Sequence, residues 1–396
     1  MRTRNLLRVI VSVALLVAVP ASLIYQLNVR PPDDTFSDAP EGWSTSYTSD
    51  DLTGLLAAFN SATTPVQPNT TDYARVLAYA TDAYWLTAYR DETPDQASSA
   101  FLSVVTTMVP DPEFAALLPT WDRSRTGAAG EVLLRASRDG YDAGQPDPML
   151  LNSPIDLGVE APSYSWRVSA GFGNEMERGW GTLTPVSGAF CDVPAPPIRT
   201  LDDLRTAANE VAALIDELMN REDVDRIRSL LEAWTYPVHA QPARTWLQIT
   251  TNVAVDAGLD RRSADTLIRD MAVAVHDTQI SAFAAKYRYV LASPQTMADN
   301  FRPFQAPYAP SYPSEYAAVA SVAAALIDRH APSVRIRLEI PGSFISAPTT
   351  RVFSGVHDAQ LEAENAAVLS GLDYRFSVDA GRELGRCIAL GVSVDD

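Results

Sequence analysis

The segment "TLDDLRTAANEVAALIDELMN" (residues 200–220) sets the terms for the fold. Leu204, Ala208, Val211, Ile215 and Leu218 follow one another at alternating steps of four and three, which places them on one buried stripe of a helix. Similar spacing runs through "TDYARVLAYATDAYWLTAYR" (71–90) and "TPDQASSAFLSVVTTM" (93–108), the latter opened by Thr93 as cap and Pro94 in the first turn. "GAAGEVLLRASRDGYDAG" (127–144) is a third helix, closed by glycine, and further helices are predicted near 243–256, 262–292, 313–329, 356–370 and 378–392. "SVRIRLEI" (333–340) is the one plausible strand. Stripes of this kind are buried by packing helix on helix, so the expected class is all-α, a large helical bundle. No internal repeat is visible. Residues 145–199, including "GWGTLTPVSGAFCDVPAPP", have no helical period and are expected to wrap over the surface.

The chain divides into residues 1–30, a linker at 31–50, an N-terminal helical half with its proline-rich wrap at 51–199, and a C-terminal bundle at 200–396. "MRTRNLLR" carries three arginines ahead of "VIVSVALLVAVPASLIYQLNV", a run of about 21 residues that can span a bilayer at 1.5 Å per residue. The membrane is therefore an expected partner through residues 6–29, with the globular part outside the cytoplasm. Cleavage after Val19-Pro20-Ala21 would make it a secreted protein; an uncleaved segment would make it a single-pass anchor. In that compartment Cys191 and Cys387 could pair, or each could be a buried thiol, and sequence spacing does not choose.

Several chemistries are excluded. A net charge of −18 with scattered basic residues opposes binding to nucleic acid. The four histidines (His239, His276, His330, His357) show no metal-ligand spacing, and no CxxC or HExxH occurs, so no metal site is expected. "GFGNEMERG" (171–179) lacks the strand and helix that a dinucleotide loop requires. His276-Asp277 is expected to be a polar pair on a helix surface. The single lysine among the 31 basic residues is Lys286.

Chemistry concentrates at "APYAPSYPSEYAAVASVAAALIDRH" (306–330), where a proline-rich run ends at Pro313-Ser314 and an alanine-rich helix begins. Free backbone N–H groups at such an entrance can hold an anion. Glu315 would repel one. Ser314 is thus an anion ligand, a remnant of one, or a helix cap alone.

The C-terminal half resembles the vanadium-dependent haloperoxidases of bacteria, a branch of the PAP2 acid phosphatase superfamily. That family is an all-α bundle that holds vanadate or phosphate with a lysine, two arginines, a Pro-Ser-Gly-His turn and a final histidine. In "DTQISAFAAKYRYVLASPQ" (277–295) Lys286 falls on the family lysine, and Ser293-Pro294 falls where Arg-Pro is expected. In "APYAPSYPSEY" Pro313 and Ser314 match, while Glu315 and Tyr316 stand for the glycine and histidine. In "TTRVFSGVHDAQLEAENAAVLSGLDYRFSVDAGRELGRCIA" (349–389) Ser370 is followed at once by Gly371-Leu372-Asp373, so that an arginine is missing and Asp373 takes the place of the last histidine. Weaker similarity in "ARVLAYATDAYWLTAY" (74–89), "GAAGEVLLRASRDG" and the tryptophan-proline passage extends the resemblance over about 70–390.

The resemblance implies Lys286 and Ser314 as anion ligands, Tyr316 and Asp373 at the catalytic positions, and Glu315 as the residue that closes the site. Each charge-assisted hydrogen bond contributes about 1.5–3 kcal/mol, so two lost arginines cost roughly 3–6 kcal/mol, or about two to four decades of affinity. No bound vanadate or other cofactor is expected, and Glu315 is expected to reach Lys286 itself. The function implied is a haloperoxidase-like binding or structural module without peroxidase or phosphatase activity. A repurposed pocket is the alternative, with Lys286, Glu315, Tyr316 and Asp373 doing acid/base work on an uncharged substrate. Residual phosphate-ester hydrolysis, with Asp373 as nucleophile, comes third. Tyrosine, with an ordinary pKa of about 10, is a poor acid/base at neutral pH.

Overall fold

The computed structural model describes residues 51–63, 70–91, 94–108, 127–141, 166, 179–235, 242–298, 301, 304, 309–340 and 349–392. The N-terminal apolar segment, the linker at 31–50, Thr93 and His239 lie outside the described residues. Among the described residues no helix is long and apolar enough to cross a membrane.

The helices are α1 (Leu52–Thr63), α2 (Thr70–Leu86, continued by a π turn at Thr87–Asp91), α3 (Pro94–Met108), α4 (Gly127–Ala136), α5 (Leu201–Met219), α6 (Val224–Thr235), α7 (Pro242–Asp256), α8 (Arg261–Tyr289), the single turn α9 (Pro294–Met297), α10 (Glu315–His330), α11 (Val356–Leu369) and α12 (Arg375–Gly391). The class is all-α, as expected. A two-stranded antiparallel sheet is added, β1 (Ile336–Ile340) on β2 (Thr349–Phe353), with Ile336 opposite Phe353. The strand predicted at 333–340 is therefore real, and it has a partner that the sequence reading placed in no element.

Two helices form the axis of the bundle. In α8 the stretch Asp270–Phe283 is buried throughout. In α10 nearly every residue from Ala317 to Ile327 is buried, so small side chains serve on all faces. Around them pack α2, α7, α11 and α12. One hydrophobic core runs from Leu52 to Val392 and joins both halves of the chain.

Local chemistry fixes the ends of these elements. Thr200 and Asp203 form a reciprocal capping box at the start of α5. Asp260 caps α8, which stops at Tyr289 and not at 292, because Val290 turns left-handed at φ 47°. The helix predicted at 127–144 stops at Ala136 and gives way to a turn, with Gly140 at φ 95°. At the end of α11, Gly371 N–H donates to Val368 O and Leu372 N–H to Ala367 O, the paired bonds of a Schellman motif with Gly371 left-handed at φ 79°.

The described part of the wrap, Trp166 and residues 179–199, has no helix beyond the turn Trp180–Thr182. It lies on α8 and is not simply superficial, since Trp180, Leu183, Cys191 and Val193 are buried. Cys191 and Cys387 form a disulfide that ties the wrap to α12.

Candidate functional site

Lys286 lies in the last turn of α8, where the helix dipole favours a cation, and only 1% of the residue is exposed. The left-handed Val290 that follows is unusual for a β-branched residue and strains the backbone by about 1–2 kcal/mol. Its N–H closes onto Lys286 O. The next residue, Leu291, accepts from Ser311 N–H through its carbonyl at 2.9 Å. That pairing brings the proline-rich loop back over the end of α8. Lys286 Nζ then donates to Pro310 O at 2.6 Å.

Beyond the loop, Ser314 caps α10: its hydroxyl oxygen accepts from Ala317 N–H at 3.2 Å. Glu315, in the first turn of α10, turns its carboxylate to the lysine, with Oε2 at 2.6 Å from Lys286 Nζ. Both residues are buried. Asp373 arrives from the opposite side, placed by the Schellman turn two residues before α12 begins. Its Oδ1 accepts from Ser311 Oγ at 3.2 Å, while its Oδ2 is buried with no hydrogen-bond partner. Burial pushes the Asp373 carboxyl up to about 7; the nearby Glu315 carboxylate adds to this, while Lys286 and the hydroxyls of Ser314 and Ser311 oppose it.

The structure thus brings together Lys286, Ser314, Glu315 and Asp373. It does not bring the Tyr316 hydroxyl to them, because that group donates to the Thr235 carbonyl at the end of α6. Ser311 belongs to the cluster and was missed. Only the Val290–Leu291 backbone turn places it there, and no sequence pattern announces that turn. Ser293, at the position of the expected arginine, is fully buried with no hydrogen-bond partner for its hydroxyl.

The three described histidines lie elsewhere. His276 and Asp277 are wholly buried, which corrects the expectation of a surface pair. Asp277 accepts from the N–H groups of Val186 and Ser187 at 2.8 and 2.9 Å and so pins the wrap, while the His276 ring packs against Tyr79 and Trp180. His330 faces Asp270, and His357 sits against Gln360 at the surface. Among the described residues, three arginines of the neighbouring helices are paired with other carboxylates: Arg288 with Asp192, Arg375 with Glu210, Arg382 with Glu364. Among the described residues no group of histidine, cysteine and acidic side chains could hold a metal ion.

Neither a family model nor a curated protein matches the sequence. Solved structures do match in three dimensions. The chain is similar to the first bacterial vanadium-dependent iodoperoxidase, with a TM-score of 0.70 at 16% identity over 88% of this chain and 96% of that one. The fold is that of the bacterial vanadium-dependent haloperoxidases. An apo-type chloroperoxidase of the same description matches at a TM-score of 0.60, with 13% identity over 81% of this chain and 93% of that one. A holo-type chloroperoxidase gives 0.59 and 13%, over 93% and 96%. Within this haloperoxidase fold, the cluster built on Lys286 sits at the junction of α8, the loop into α10, and the turn between α11 and α12.

Proposed function

We propose that this haloperoxidase-fold protein does not use vanadate, and that it works as a binding or structural module outside the cytoplasm. One observation carries the proposal: the buried Lys286 ammonium is already neutralised by the protein's own Glu315 at 2.6 Å. The residues present do not fit a multiply charged oxyanion. Among the described residues one cation, Lys286, faces two carboxyl groups, and Ser293 puts an uncharged hydroxyl where the resemblance expects an arginine. An added oxyanion would have to displace Glu315 and leave its carboxylate buried and unpaired, a change that typically costs several kcal/mol. The Cys191–Cys387 disulfide and the apolar N-terminal segment support an oxidising, extracytoplasmic setting.

The test is a calorimetric titration of the purified full-length chain with vanadate and with phosphate, alongside bromination and phosphatase assays. No saturable heat and no turnover are expected. Saturable binding that Lys286→Met abolishes would overturn the proposal.

A second reading has its own support. A buried Asp373 that titrates at about 7 is suited to passing a proton at neutral pH, with Ser311 holding its orientation. In that case the cluster performs acid/base chemistry on an uncharged substrate, and turnover would fall at least a hundredfold in Asp373→Asn.

A further inference from the structure

Four consecutive residues of the wrap are each fastened to a different point around the Lys286 cluster. Cys191 is bonded to Cys387 of α12. Asp192 pairs with Arg288, two residues past Lys286. Val193 O accepts from Tyr289 OH, and Pro194 O accepts from Tyr312 OH, both at 2.8 Å. Tyr312 stands two residues before Ser314 and is itself buried. Its ring packs against Tyr289 and Phe376, and Phe376 stacks on Tyr374, the neighbour of Asp373. A continuous aromatic layer therefore leads from the strap at 191–194 to the cluster. Three of the four fastenings are single hydrogen bonds or one exposed ion pair, each individually weak. Cys191 N–H also donates to Ser281 Oγ and Val193 is buried, so the covalent bond is the one fastening that a change of redox state breaks directly.

That covalent bond can be reached. Cys191 is buried, but Cys387 is exposed, and the side chains beside the bridge, Phe190 and Leu390, are exposed as well. We infer that Cys387 is a site of thiol–disulfide exchange, and that reduction of its bond to Cys191 releases the strap and opens the Lys286 cluster to solvent. The co-reactant is a dithiol. One thiolate attacks Cys387 Sγ and forms a mixed disulfide; the Cys191–Cys387 bond breaks, and Cys191 leaves as a thiolate that takes a proton. The second thiol then displaces Cys387, which is also protonated, and the co-reactant departs as its own disulfide. Two electrons have passed to the protein. The inference rests on the closed-site reading above only for what lies beneath the strap.

Hydrogen exchange of the intact chain, oxidised and after treatment with dithiothreitol, tests this. Amides of 311–318 and 373–378 should exchange at least tenfold faster in the reduced protein, with those of 77–83 in α2 unchanged. The double variant Cys191→Ser, Cys387→Ser should show the same pattern without reductant. No change on reduction, or an equal rise in α2, would overturn the inference. Brief reaction with glutathione should leave glutathione on Cys387 and a free thiol at Cys191; the reverse would overturn the assigned point of attack. Vanadate calorimetry on both redox forms keeps the two proposals separable. Binding to the oxidised form counts against the closed site, whereas the exchange pattern alone judges the strap.

Discussion

At the scale of single residues, Asp373 makes the stability of the fold depend on pH. Its carboxyl titrates at about 7 in the folded protein against 3.8 ordinarily, so the folded state holds a proton that the unfolded state has already released. Below about pH 4 both states are protonated, and the group imposes no penalty. As pH rises towards 7 stability falls, by on the order of 4 kcal/mol once the carboxyl is ionised in both states. Chemical denaturation of Asp373→Asn should show that loss between about pH 4 and 7 reduced relative to the unaltered chain, and an unchanged loss would assign it to another group. The cluster was legible only in part. Lys286 stood out as the one lysine, but its meeting with Glu315 and Asp373 came from the resemblance to a known site, since no local pattern links residues so far apart in the chain. Tyr316, one residue beyond Glu315, points about 100° further round the helix, and its hydroxyl goes to Thr235 instead.

Between elements, the decisive contact is α10 against α12. A Cβ added at Gly381 would lie 2.3 Å from Ser314 O, and one at Gly385 would lie 2.3 Å from Ala318 O. The two backbones touch there, and this contact holds Ser314 N–H on Ser377 O at 2.9 Å, which sets the entrance of α10 beside Asp373. Gly381→Ala or Gly385→Ala should therefore lower stability by roughly 1–3 kcal/mol, despite the better helix propensity of alanine. Gly355→Ala, where an added Cβ meets nothing within 4 Å, should cost less, about 1 kcal/mol at most, from the poorer N-cap that alanine makes for α11. The spacing of "GRELG" was a readable sign of this contact and was overlooked. So was α6, whose Ile227, Leu230, Leu231 and Trp234 form a helical stripe, and α1, with Leu52, Leu55, Leu56 and Phe59. Strand β2 is different: Thr349–Phe353 is too short to carry a pattern, and pairing with β1 defines it.

Over the whole molecule, helical periodicity was enough to give the class, because stripes on most segments leave few other ways to bury the core. The path of the wrap was not legible. It is set by contacts that sequence spacing does not encode: Asp277 capping the turn at 186–187, Gly181 lying against the backbone of Ala284, and a disulfide across 196 residues. Those contacts press the wrap onto α8 and lead it to the cluster, where the proposed exclusion of anions by the Lys286–Glu315 pair can be tested. The most direct test is thermal melting of the unaltered chain and of Glu315→Gln, each with and without millimolar phosphate. Removing one partner of a buried pair typically costs about 3–5 kcal/mol, so the variant should melt lower. Phosphate should then raise its midpoint by several degrees by binding the freed Lys286 and the entrance of α10, while leaving the unaltered chain unmoved. Equal stabilisation of both proteins by phosphate would contradict the claim that Glu315 occupies the anion position.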